Sequence, residues 1–244
     1  MINIINTIWL NRNNRRYQDK QVHWKSTISL IIAQTSIAGN NSKTSYRGNM
    51  QEFRFLKACK VNIRPPRAPT IKEVIWSPPL TSWIKANIDG ASTKNPIKAF
   101  LGGIFRNSES ICMGCFFQLL GPKNALYAEL VAAMTAIEIA YNKGFLNLWL
   151  ESNSQLVILA FKSNMAVPWE LRNRWQNCMA RLRSMRFVAS HIYTEGNACA
   201  DSLANLGLSM SSFEVFWSDY IPDFIRGEYT MNRLGMPNFR FSTF

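Results

Sequence analysis

The chain is short of histidine and short of acids. Its 2 histidines cannot build a multi-histidine metal centre. Asp and Glu number 15 against 28 Lys and Arg, a net charge of +13, and that excess favours a polyanionic partner through phosphate neutralisation and counterion release. No apolar run approaches the roughly 18–20 residues that span a bilayer, so no membrane partner is expected. Cysteine is sparse and odd in number: Cys59, Cys112, Cys115, Cys178 and Cys199 suit reduced thiols in an intracellular protein better than a disulfide framework. Cys112 and Cys115 lie in a strand-like stretch, where i and i+3 point to opposite faces, and no second pair or nearby His completes a zinc set. A cationic segment leading into a long apolar core is also missing from the start, so secretion is not expected and the compartment read is nucleus or cytoplasm. Mitochondrial targeting stays open, because MINIINTIWLNRNNRR is acid-free and contains Arg.

The positive charge is unevenly spread. Residues 1–80 hold 13 Lys and Arg against 3 acids, and residues 81–244 hold 15 against 12. Recurrent apolar positions in 3–37 (Ile5, Ile8, Trp9, Trp24, Ile28, Ile31, Ile32) predict one or two amphipathic helices. The polar stretch 38–52 reads as linker, and the prolines of IRPPRAPTIKEVIWSPP keep that segment extended. We therefore expect a basic N-terminal extension over 1–80, a folded domain over 81–210 and an irregular tail over 211–244. In the middle segment, 83–92, 99–106 and 110–118 read as a three-strand meander with a turn at Asn107-Ser108-Glu109. An Ala-rich helix over 124–143 ends at Gly144. A strand over 145–151, helices over 152–164 and 169–184, a strand over 185–192 and a last helix over 196–209 follow. The order βββαβααβα predicts an α/β fold with a mixed sheet covered by helices on both faces.

Three acids stand out by placement. Asp89 sits among apolar residues on a central-looking strand and is followed by Gly90 and Ala91. Glu129 interrupts an apolar helix face. Asp201 lies in the first turn of the last helix, where it caps helix amides or faces inward. Hydrolysis of a phosphodiester needs a nucleophile generated near neutral pH and a stabilised oxyanion. Two Mg²⁺ ions about 3.5–4 Å apart supply both, and such hard ions prefer oxygen ligands.

From residue 83 to about 209 the chain resembles the ribonuclease H type 1 family, and in particular its plant retroelement-derived, reverse-transcriptase-associated members. The matching residues are Asp89-Gly90-Ala91, Gly102-Gly103, Ala128-Glu129-Leu130, Glu151-Ser152-Asn153-Ser154, Gly196-Asn197 and Ala200-Asp201. His191, ten residues before Asp201, matches a mobile histidine that assists departure of the leaving group or product. Ile8-Trp9-Leu10, Asn11-Arg12-Asn13 and Trp76-Ser77-Pro78-Pro79 resemble the segment that precedes the domain in those plant proteins. The resemblance implies a five-stranded mixed sheet, hydrolysis of the RNA strand of an RNA–DNA hybrid, and two Mg²⁺ ions (Mn²⁺ as a substitute) with no other cofactor. It also implies a ligand set of Asp89, Glu129, Asp201 and the residue at 153.

That residue is Asn153, where the family carries an aspartate. Its carbonyl oxygen can coordinate but brings no charge, which should weaken metal binding and turnover. Glu151, two residues earlier on the strand, is a candidate substitute that would have to reach back roughly 6.5 Å. Thr194 occupies a position that is often basic in these relatives. The helix over 169–184 and its exit carry Arg172, Arg174, Arg181, Arg183 and Arg186 with Trp169 and Trp175 between them. In the family a basic helix here grips the hybrid backbone, which makes Arg172, Arg174, Arg181, Arg183 and Trp175 candidate nucleic-acid contacts. A solvated basic face with tryptophan in the core is the competing reading. The function expected is a hybrid ribonuclease weakened by Asn153, with a non-cleaving hybrid- or RNA-binding module of the same fold as the alternative.

Overall fold

In a computed structural model of the chain, residues 2–65, 68–163 and 167–242 are described. The elements run α1 (Ile2–Tyr17), α2 (Trp24–Asn41), α3 (Met50–Ala58), β1 (Thr70–Val74), β2 (Ile84–Lys94), β3 (Ile97–Arg106) and β4 (Cys112–Gly121). They continue with α4 (Ala125–Asn142), β5 (Asn147–Ser152), α5 (Gln155–Lys162), α6 (Arg172–Leu182), β6 (Arg186–His191), α7 (Ala198–Gly207), β7 (Phe216–Ser218), α8 (Arg226–Arg233) and β8 (Asn238–Ser242). The chain divides into two compact units, with Ile71–Arg240 forming the second.

The division falls at Thr70, not near residue 80. Val74 and Trp76 are buried with Ile192 in a small cluster of the second unit, and the Trp76 indole donates to Asn87 Oδ1 at 2.8 Å. Those contacts bind the proline-flanked segment to the folded body. In the first unit, the stretch 3–37, expected to form one or two helices, forms two, and the second runs on to Asn41. The stretch read as linker also supplies the start of α3, capped by Asn49, whose side chain accepts from Gln51 N at 2.9 Å. Pro66 and Arg67 lie outside the described residues, as does the expected end of the α5 helix at Asn164.

The main sheet has the order β6-β5-β2-β3-β4-β7. Strands β2, β3 and β4 form the antiparallel meander, and β5 and β6 extend it in parallel. The parallel pairs need crossovers, which α4 and the α5–α6 pair provide. Helix α4 starts where Asn124 Oδ1 accepts from Tyr127 N at 2.8 Å and stops before Gly144 at φ +74°. Between those signals Leu130, Met134 and Ile137 are fully buried against Ala86, Ile88 and Leu150. Each such side chain contributes roughly 1.5–3 kcal/mol by leaving water. Helix α7 covers the opposite face with Cys199 and Leu203 against Ile104 and Phe117.

The segment after residue 210 is not an irregular tail. Strand β7 pairs antiparallel with β4 (Phe116↔Trp217) and becomes a sixth strand beside the five expected ones. Tyr229 of α8 is buried, and its hydroxyl donates to Ser110 O at 2.8 Å.

Candidate active site

The site forms where the sheet changes partners. Strand β2 is flanked by β5 up to the pair Ile88↔Ser152, then runs on against β3 alone. Asp89 is the first residue past that point. Asn153 directly follows β5, and His191 closes β6 opposite Ser152. Asp89 inside β2, Asn153 just past β5 and His191 at the end of β6 therefore stand side by side where the parallel pairing stops, the kind of position where open α/β sheets leave a crevice for ligands.

Two glycines let the remaining carboxylates approach. A Cβ on Gly90 would stand 2.3 Å from Glu129 N, so the backbone of α4 lies directly on β2. A Cβ on Gly102, which pairs with Asp89, would stand 2.3 Å from Ala204 N, so α7 lies directly on β3. These contacts bring Glu129 and Asp201 in from opposite faces of the sheet.

The carboxyl groups interact. Asp89 is 4 % exposed. Burial, then a hydrogen bond and charge repulsion from Asp201, push its pKa up to about 7, against opposing hydrogen bonds from Gly90 N–H and the Asn153 side chain. Glu129 is raised to about 9 by burial and by the Asp89 charge, with Ser152 working the other way; the Ser152 hydroxyl is 3.5 Å from its Oε2. Two carboxyls that share a hydrogen bond next to a third prefer to hold protons or to gain a cation.

Asn153 contributes its amide to this cluster. Its Nδ2 also lies 3.5 Å from Thr194 Oγ1, while its Oδ1 is buried without a hydrogen-bond partner. His191 is tied to the same residue, with Nε2 3.1 Å from Asn153 O, and its ring meets Tyr193 edge-on with centroids 5.5 Å apart.

Glu151 is not part of the cluster. It is buried among other partners: Lys85 Nζ at 3.3 Å from Oε1, Asn87 Nδ2 at 3.0 Å from Oε2 and Ser190 Oγ at 3.4 Å from Oε1. Strand β5 ends at Ser152, so the same-face relation of 151 and 153 does not hold. Glu151 is thus withdrawn as a substitute ligand.

The network around Glu151 lies outside the residues that sequence motifs single out. Asn87 donates to Asn197 Oδ1 at 3.1 Å, and Asn197, the residue immediately before the helix that carries Asp201, donates to Ile88 O at 2.8 Å. Lys85 sits under the indole of Trp149, 3.6 Å from its centroid. Arg106 stacks 3.6 Å from the Trp76 centroid and donates to Asn87 Oδ1 at 2.8 Å. Burial pushes the Arg106 guanidinium down to about 10. The signal was present: Lys85, Asn87 and Asp89 alternate on β2, so one face of a central strand is polar at period two.

The basic helix divides. Trp175 is 2 % exposed and packs on Phe161 with centroids 4.8 Å apart, so it is core and not a nucleic-acid contact. Arg174 is held by Glu138 at 2.6 and 3.0 Å, and Arg181 by the same carboxylate at 3.5 Å. Arg172 and Arg183 are exposed on the surface, and Trp169 is 78 % exposed.

Among the described residues no three His, Cys, Asp or Glu side chains form a ready metal cage. The donors that converge are nevertheless all oxygens. They comprise a hydrogen-bonded carboxyl pair and a third carboxyl with a raised pKa, beside Asn153, whose Oδ1 is buried without a hydrogen-bond partner. That set fits a hard divalent cation.

Residues 87–207 match the family described as reverse transcriptase-like. An Arabidopsis thaliana protein bearing the name of a ribonuclease H protein is 31% identical over 224 residues, which cover 84% of this chain. The chain spans 35% of that relative's length. Among solved structures, RNase H1 of the archaeon Halobacterium salinarum NRC-1 is similar at 26% identity and a TM-score of 0.47, covering 52% of this chain and 97% of its own. LC11-RNase H1, solved in complex with an RNA/DNA hybrid, is similar at 22% identity and a TM-score of 0.47, covering 52% of this chain and 96% of its own.

Proposed function

Since residues 87–207 of the chain match the family described as reverse transcriptase-like, we propose that it hydrolyses the RNA strand of RNA–DNA hybrids with divalent cations, at a rate held down by Asn153. The observation that carries this reading is the convergence of Asp89, Asp201 and Glu129 where β5 stops pairing with β2, beside Asn153 and its unpartnered Oδ1. Asp89, Asp201, Glu129 and Asn153 Oδ1 would hold Mg²⁺ or Mn²⁺. Bound there, such ions lower the pKa of a water nucleophile and neutralise charge on the leaving oxygen.

The chain's own groups do the rest. Ser152 and the α4 backbone on Gly90 fix Glu129 beside Asp89. Asn197 fixes the start of α7 and with it Asp201. His191, half-buried at the rim, is placed to pass a proton to the departing 3′-oxygen, and its contact with Asn153 O orients the ring. Arg172 and Arg183 are the cations of the basic helix free to meet phosphate oxygens, because Glu138 occupies Arg174 and Arg181.

The test is cleavage of a hybrid labelled on its RNA strand, in Mg²⁺ and in Mn²⁺. Short RNA fragments that disappear with Asp89→Asn support hydrolysis. The amide at 153 favours a second reading, a module that binds hybrid without cutting it. Salt-dependent hybrid binding with no fragments in either metal would replace the first reading by the second.

A further inference from the structure

The α1–α2 pair holds a groove that the catalytic reading does not use. The two helices are pinned by Asn11 Nδ2 donating to Thr27 Oγ1 at 2.7 Å and by Thr7 Oγ1 donating to Gln34 Oε1 at 3.1 Å. Between them lies a cavity of about 750 Å³. One wall carries Arg12, Arg15 and Arg16, and the other carries Val22, Trp24 and Ile28. The arginines occupy i, i+3 and i+4 of α1 and so share one face. All three are exposed, and neither helix contains an acid.

The turn beyond the groove adds flat rings. Tyr17 is 75 % exposed and Trp24 62 %. His23 stacks on Trp24 with centroids 5.8 Å apart, and Lys25 Nζ stands 5.6 Å from the Trp24 centroid. Arg16 stands 5.9 Å from the Tyr17 centroid. Folded α1 and α2 thus leave their rings and cations at the surface instead of closing a core over them.

From this we infer that the α1–α2 groove binds single-stranded nucleic acid, with phosphates on the arginine wall and bases against Trp24 and the neighbouring rings. A single strand has one anionic edge and one flat apolar edge, which matches the two walls, and a basic groove with stacking aromatics is how strands are held without sequence readout. Within residues 1–70 there are 12 Lys and Arg against 2 acids, so the charge extends past the groove. An acidic peptide would satisfy the arginines but would leave the rings without stacking partners. The inference is independent of hydrolysis by the other unit.

The experiment titrates the full chain, in EDTA, into fluorescein-labelled 12-mers of oligouridylate and oligothymidylate, followed by anisotropy over a range of salt. Wild type binds either strand. Combined Arg12→Ala, Arg15→Ala and Arg16→Ala weakens binding roughly tenfold or more and lowers the magnitude of the salt slope by about 2, at about 0.7 per single-strand phosphate contact. The matching Arg→Lys triple variant keeps the slope, which separates lost charge from lost fold. Trp24→Ala weakens binding roughly tenfold, and Trp24→Phe, which keeps a ring, recovers most of it. Unchanged affinity and slope in the alanine variants overturn the inference. So does binding of polyglutamate in place of the oligonucleotides. Hybrid cleavage is read on the same variants in Mg²⁺. If wild type cuts nothing while the alanine variants lose single-strand affinity, the hydrolytic reading fails and the groove stands.

Discussion

Replacing Asn153 by Asp puts a charge where the orphaned Oδ1 now points. The side chain already hydrogen-bonds Asp89, so the new carboxylate would lie about 4 Å from that group. At an effective dielectric of about 20, two unit charges at about 4 Å interact by about 4 kcal/mol. Without metal this interaction is repulsive, and Asn153→Asp should unfold at lower temperature than wild type. With a divalent cation the sign reverses, and the attraction per ligand charge doubles while desolvation and hydrogen bonding offset part of it. A net gain of about 3 kcal/mol in holding the cation raises subsaturating turnover roughly 100-fold. Two assays check this: hybrid cleavage against Mg²⁺ concentration, and the Mg²⁺-induced shift in melting temperature, which needs no turnover. Asn153→Asp should be destabilised in EDTA, stabilised more than wild type by Mg²⁺, and faster at low Mg²⁺. Equal melting shifts and equal Mg²⁺ dependence of cleavage would refute the placement of residue 153 among the cation's ligands.

Other outcomes follow from the same geometry. Asp89→Asn should lower cleavage by roughly 10³-fold or more, because it removes the carboxyl common to the Asp201 and Glu129 interactions; hybrid binding should survive in filter retention. For metal-free protein, Asp89 rises from 3.8 to about 7 and Glu129 from 4.5 to about 9 on folding. The folded state therefore keeps protons that the unfolded chain has lost. That stability is complete below about pH 4 and is lost as pH climbs through 7 and then 9, so the melting temperature in EDTA should fall on the order of 5–10 °C across that window. Mg²⁺ should flatten the profile. Trp175→Ala should cost about 3–5 kcal/mol in denaturant unfolding as a core truncation, with hybrid affinity per folded molecule unchanged. Glu151→Gln strips the Lys85 ammonium of its buried counter-charge and should cost about 3–5 kcal/mol, yet leave Mg²⁺ dependence of cleavage alone, since Lys85 and Asn87 occupy the Glu151 carboxylate.

Much of the second unit was legible in the sequence, and the exceptions have identifiable physical causes. The meander, α4 and α7 announce themselves through turn residues, an Ala-rich apolar stripe and terminal glycines, all local signals. Among its arginine neighbours Trp175 is a candidate nucleic-acid contact with the core as the competing reading, and the core reading holds because Leu171, Trp175, Cys178 and Leu182 recur at helical spacing and form the buried stripe of that segment. Its period outweighed its charge. Glu151 was placed by strand alternation, which stops applying once β5 ends at Ser152. Strand β7 had no local signal: three residues of Phe-Trp-Ser become a strand because the free edge of β4 offers partners, a tertiary effect. Asp89, Glu129 and Asp201 come from distant parts of the chain. The two glycine contacts that gather them depend on helix–sheet packing that no single segment encodes.

The β4–β7 pairing has a practical consequence for handling the protein. Gly114 has no side chain because Trp217 lies where one would be, 2.0 Å from an added Cβ, and Phe117 stacks on Phe216 at 4.7 Å. A chain shortened to the family-matched segment by stopping at residue 210 would uncover these rings and leave a strand of open amides and carbonyls along β4. Such an edge recruits other copies of itself. Truncated material should therefore emerge as aggregate while the longer chain remains dispersed, and loss of activity in it would be a failure of solubility before it was a failure of chemistry.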